Sequence, residues 1–147
     1  MKVDPRGQRF AAALTATVLV AVLASGSRVL LAAQAVVFAI GVIFGLRRHP
    51  YGLLYAAFLR PRLSPPGELE DEAPPRFAQG VGLGFALVGV AGYSLGAVWL
   101  GVTATAFALG AAFLNAAFGF CLGCEMFLLI KRVTHPSPKK NEKEVSA

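Results

Sequence analysis

Cys121-Leu122-Gly123-Cys124 holds both cysteines of the 147-residue chain. Two thiols three residues apart can close a disulfide, carry a persulfide or bind a metal. Two sulfurs are too few for a closed zinc site, so a metal would need His49, Glu125 or a second protomer, and no metal or other cofactor is expected. Gly119 and Gly123 flank Cys121. If a membrane span ends there and a short helix runs from Cys124 to Lys131, Cys121 stands at a helix N-terminus, where free N–H groups and the dipole stabilise a thiolate. Cys121 is then the nucleophile and Cys124, one turn on and more enclosed, resolves the mixed disulfide. Glu125 can relay a proton, although a neighbouring carboxylate also raises a thiol pKa. If the helix instead runs straight through, both thiols keep high pKa values and the pair is packing. Asn115, six residues before Cys121, is an amide deep in an apolar run that needs a hydrogen-bond partner. Gln34 and Gln79 pose weaker versions of the same demand. The candidate catalytic residues are therefore Cys121 and Cys124, with His49, Asn115 and Glu125 as accessory groups.

The elements that position these residues are set by hydropathy. Apolar residues make up 56% of the chain, mean hydropathy is +0.62, and charge is confined to a few blocks. That is the composition of an all-α integral membrane protein. Between Phe77 and Ile130 the only charged side chain is Glu125, a stretch too long for one span. The pattern predicts four transmembrane helices near residues 8–25, 28–47, 76–94 and 97–119, arranged as two hairpins in a domain covering 1–134. A secretory signal in place of the first span is the lesser alternative, because a second apolar block follows almost at once. The loop 48–75 contains Tyr51, Leu54, Tyr55, Phe58 and Leu59 at helical spacing, which predicts a short interfacial helix with its aromatics in the headgroups. A proline-bracketed acidic stretch, Glu68 to Pro75, predicts a solvated surface loop that could also dock a basic partner. The Lys- and Ser-rich tail, 135–147, predicts disorder.

Thirteen of the fourteen Lys and Arg residues lie in the N-terminal segment, the central loop and the tail, and only Arg28 falls on the other side. The positive-inside rule then puts both termini and the cysteine pair on the cytoplasmic face of the plasma (inner) membrane. Reducing pools there favour a transient use of the thiols over a structural disulfide. The net charge of +6 is accounted for by topology and anionic lipid, not by nucleic acid. Glycines of the third and fourth spans, Gly80 and Gly84 among them, predict close helix packing within the bundle, with a homo-oligomer face as the alternative. Arg9-Phe10-Ala11 before the first span matches Arg76-Phe77-Ala78 before the third. Extended onward, His49-Pro50-Tyr51-Gly52 falls near the cysteine motif. Two parallel repeats would place His49 and the thiols in related positions around a pseudo-two-fold axis, within reach of each other.

The run Phe113-Leu114-Asn115-Ala116-Ala117-Phe118-Gly119-Phe120-Cys121-Leu122-Gly123-Cys124-Glu125, together with Asp4-Pro5-Arg6, His49-Pro50-Tyr51-Gly52 and Pro75-Arg76-Phe77-Ala78, resembles the bacterial membrane family catalogued as domain of unknown function 4395. The resemblance runs from Val3 to about Arg132. It implies no assigned activity and no catalytic residue; it implies a thioredoxin-like or rhodanese-like soluble partner, because such proteins are often encoded beside family members. Residues and resemblance together point to a cytoplasm-facing CxxC component in thiol redox or sulfur relay. The alternative is a non-catalytic membrane scaffold or a small-solute conduit for sulfur metabolism.

Overall fold

Each long helix starts and stops where a local signal requires it. In the computed structural model, which describes residues 2–65, 67 and 69–135, helix α1 spans Pro5–Ser25 and α2 spans Arg28–Phe44. The Asp4 carboxylate caps α1 by accepting the Arg6 N–H at 2.9 Å, and Pro5 occupies the first turn, where no backbone donor is needed. Gly26, with φ of 67°, closes α1 in the left-handed region and donates its N–H to Val22. Ser27 then caps α2 through the Leu30 N–H. Helix α4 (Ala73–Ser94) begins on Pro74 and Pro75, and α5 (Val98–Phe118) follows a turn through Gly96.

Among the described residues α1, α4 and α5 are long and apolar enough to cross a membrane, while α2 is equally apolar but has 17 residues. Large apolar side chains point outward around the bundle, Val29, Trp99 and Phe107 each being more than 60% exposed. That distribution suits lipid as the solvent. The chain is an α-helical protein of membrane-embedded character.

Helix α1 lies along α5, and α4 packs on both α2 and α5. Helices α1 and α2, although joined by a tight turn, touch far less, so the side-by-side pairing expected from their adjacency is not the main contact of either. Leu19, Val22, Leu31, Phe38, Ala86 and Ala108 form the buried core. Close approach depends on glycine, though not on the Gly80 and Gly84 pair. A Cβ on Gly84 would meet nothing within 4 Å, whereas one on Gly92 would come within 2.6 Å of the Gly101 backbone nitrogen and one on Gly82 within 2.9 Å of the Phe38 ring. The backbones of α4 and α5 therefore meet at Gly92 and Gly101.

The central segment departs from expectation in two ways. After Phe44 the chain turns at Gly45, with φ of 87°, and folds back as α3 (Pro50–Leu54), followed by a π-helical turn at Tyr55–Leu59 and a 3₁₀ turn at Arg60–Arg62. Tyr51 and Tyr55 point into the protein instead of the headgroups. The Tyr51 hydroxyl donates to Gln34 Oε1 at 2.7 Å, and Tyr55 is buried against Phe10, donating to Asp4 Oδ2 at 2.9 Å. Phe58 does remain 65% exposed. The acidic stretch is also pinned down. Strands β1 (Lys2–Val3) and β2 (Glu70–Asp71) pair antiparallel, and buried Glu72 accepts the Leu46 N–H at 2.8 Å. Glu72 is thus an internal cap and not part of a solvated run. Helix α6 spans Leu122–Thr134, and the tail expected from 135 onward lies, after His135, outside the described residues.

Candidate functional site

The cysteine pair is positioned by the way α5 ends. Gly119 adopts φ of 69° and donates its N–H to Asn115, while the Phe120 N–H reaches the Leu114 carbonyl at 3.3 Å. This closure leaves the next carbonyls, Ala116 and Ala117, without intrahelical donors. Arg9 supplies them from α1: its Nη2 donates to both, at 3.2 and 3.3 Å. The helix therefore breaks before Cys121, as one of the two sequence readings required.

Cys121 is the N-cap of α6. Its backbone is extended, and its sulfur accepts the Cys124 N–H at 3.2 Å. The two cysteines are joined in a disulfide, with Cα atoms 5.2 Å apart. The Cys121 sulfur thus stands at the N-terminal, positive end of the α6 dipole. Both cysteines are half-buried. Gly123 lets this turn sit directly on α4, since a Cβ there would come within 2.6 Å of Ala78 Cα.

The disulfide lines a cavity of about 310 Å³ at the end of the bundle. Asn115 and Glu125, both singled out in the sequence, line it too, as does Arg9. Glu70 and Asp71 of β2 form an acidic side, and Pro74 and Pro75 bring in the start of α4. A larger, shallower groove of about 510 Å³ lies along Val42, Phe77 and Gly80 on the bundle exterior; it carries neither sulfur nor carboxylate. No group of three or more His, Cys, Asp and Glu residues among those described is placed to hold a metal.

His49 is not part of the cavity. It is 2% exposed, packed beside Gly41 and Gln79 between α2 and α4, with Tyr51 edge-on at 5.3 Å. His49 and the thiols, expected within reach of each other, do not line one cavity. Gln34 and Gln79 likewise belong to the His49 cluster. Burial pushes the His49 imidazole down to about 4 from its usual 6.5, the adjacent Gln79 amide opposing this only in part. The unfolded chain takes up a proton near pH 6.5 that the folded protein refuses until about pH 4. Stability is thus fully present above pH 6.5 and lost as pH falls toward 4, by up to about 3 kcal/mol. Thermal unfolding in detergent at pH 7.5 and 4.5 checks this; His49→Gln should flatten the difference.

Arg9, Glu70 and Asp71 were not singled out for the site. The available signal was the Arg-Phe-Ala repeat, in which Arg9 and Arg76 hold matching positions. Arg76 makes a similar contact elsewhere, donating to the Val42 carbonyl near the end of α2. A family model described as Domain of unknown function (DUF4395) matches residues 3–132. The chain belongs to the DUF4395 family. No curated protein and no solved structure matches this DUF4395 chain.

Proposed function

We propose that this DUF4395 protein is a four-span inner-membrane protein that exchanges thiol electrons or sulfane sulfur with a soluble partner at its cytoplasmic face. The observation that carries the reading is the Cys121 and Cys124 disulfide, held at a helix N-cap and lining a cavity. In the redox form of the reaction, the Cys121 thiolate attacks one sulfur of a partner disulfide. A mixed disulfide forms, the partner's other sulfur leaves as a thiolate, and Cys124, after losing its proton, attacks Cys121 and releases the partner reduced. Two electrons pass from the dithiol to the partner. In the sulfur-relay form, the Cys121 thiolate attacks the terminal sulfur of a partner persulfide, the partner leaves as a thiolate and Cys121 carries the persulfide; Cys124, after losing its proton, then attacks the inner Cys121 sulfur, expelling hydrosulfide and closing the disulfide. A thioredoxin-like or rhodanese-like protein is the partner class for either form.

Four spans follow if α2 crosses as well; its 17 residues reach about 25 Å, the short end of what crosses hydrocarbon. With Arg28 alone on the outer side, both termini face the cytoplasm. The two halves behave as parallel repeats: α1 lies on α5 as α4 lies on α2, Arg9 and Arg76 bond carbonyls near the ends of those partners, and His49 and Cys121 are both N-caps that follow a positive-φ glycine.

The deciding experiment is a glutathione redox titration in inside-out and right-side-out membrane vesicles, read with a membrane-impermeant maleimide. A reversible disulfide at roughly −220 to −300 mV, labelled only in inside-out vesicles, is expected. A pair that stays either fully reduced or fully oxidised across the glutathione range would leave a non-catalytic scaffold or conduit as the better reading.

A further inference from the structure

Every charged group lining the cysteine cavity but one is acidic. Glu70 and Asp71 come from β2 and Glu125 from α6, while α4 and α5 contribute Pro74, Pro75 and Asn115, none of which titrates. The exception is Arg9 of α1. Its guanidinium holds the Ala116 and Ala117 carbonyls, and its side chain lies 3.8 Å from where a Cβ on Gly119 would stand, two residues before Cys121. With the Gly119 and Phe120 N–H groups bonded to Asn115 and Leu114, this accounts for four successive carbonyls at the end of α5. Arg9 therefore does two things at one place. It fixes the break that makes Cys121 an N-cap, and it sets a positive charge on the wall of a cavity whose other charged groups are carboxylates.

We infer that Arg9 is the positioning residue of the cysteine pair, stabilising the Cys121 thiolate from across the break. The inference rests on the reading of Cys121 as the exchanging sulfur. Reduction of the disulfide by a partner thiol generates negative charge on sulfur, and a fixed cation nearby favours that state over the disulfide. The acidic side, Glu70, Asp71 and Glu125, acts in the opposite sense. Removing Arg9 leaves those carboxylates unopposed.

Arg76 provides the internal control, because it makes the analogous carbonyl contact at the end of α2 and does not line the cysteine cavity. The test uses the full chain in phosphatidylcholine and phosphatidylglycerol nanodiscs, with Cys124→Ser throughout so that one thiol titrates. Iodoacetamide alkylation of Cys121 is followed against pH. Arg9→Gln should raise the midpoint by about half to one unit and slow alkylation at pH 7 by roughly three- to tenfold. Arg9→Lys, which keeps the charge, should recover most of that shift, and Arg76→Gln should leave the profile where it was. An Arg9→Gln profile superimposable on the parent, or an equal shift in Arg76→Gln, would overturn the inference. Failure of the glutathione titration above with the Arg9 shift intact would remove the exchange function and leave the thiolate-stabilising role standing.

Discussion

Cys124→Ser should accumulate a mixed disulfide with an added protein disulfide such as oxidised thioredoxin, while Cys121→Ser should form none and lose exchange by at least about a hundredfold. The asymmetry comes from the geometry of the turn. Cys121 is the N-cap, with its sulfur accepting the Cys124 N–H, and the Glu125 N–H returns to the Cys121 carbonyl at 3.0 Å. Charge that develops on Cys121 meets the positive end of α6, whereas Cys124 sits inside the first turn with no equivalent donors. Loss of Cys124 leaves the nucleophile in place and removes only the group that releases the partner, so the intermediate persists. Loss of Cys121 removes the thiolate that the helix end favours. Non-reducing electrophoresis after acid quench, with the partner added in its disulfide form, separates the two outcomes. Equal trapping by both variants would mean that the N-cap does not choose the nucleophile.

Hydropathy made the helices legible because burial in lipid imposes a length and an apolar character on each span independently of its neighbours. Helix α5, Val98–Phe118, falls within the expected 97–119, and the glycines flanking Cys121 offered the break at Gly119 as one of two readings. The expected span at 28–47 runs three residues too far. Hydropathy continues through Leu46, but Gly45 turns the chain and Glu72, 26 residues away, captures the Leu46 N–H. Long-range hydrogen bonds of this kind have no local signature. The same applies to Tyr51 and Tyr55, whose spacing reads as an interfacial anchor until Gln34 and Asp4 are seen to accept their hydroxyls. At the site, Asn115 and Glu125 were within sequence reach of the cysteines and do line the cavity with them. Arg9 joins them across 107 residues through the carbonyls of another helix, and His49 sits apart from the cavity beside Gln79 and Tyr51.

Gly123→Val should lower the unfolding temperature in nanodiscs by at least about 5 °C and loosen the cysteine turn. Within the motif the glycine looks like a helix-breaking residue, yet it lies inside α6 and is buried against α4. A Cβ there would approach Ala78 Cα and Cβ to 2.6 Å. Because the obstacle includes backbone, no rotamer change relieves it, and α6 must move away from α4. Overpacking of this kind costs about 1–3 kcal/mol for small additions, and the β-branched valine adds more than alanine would. The displacement should be felt at Cys121 and Cys124 on either side, as faster alkylation of both thiols after reduction. Gly84→Ala supplies the contrast. No atom lies within 4 Å of the added Cβ, and alanine favours the helix over glycine by about 1 kcal/mol, so stability should be unchanged or slightly raised. A Gly123→Val protein as stable as Gly84→Ala would show that α6 is not seated on Ala78, and the cysteine turn would then lose the support that holds it at the cavity.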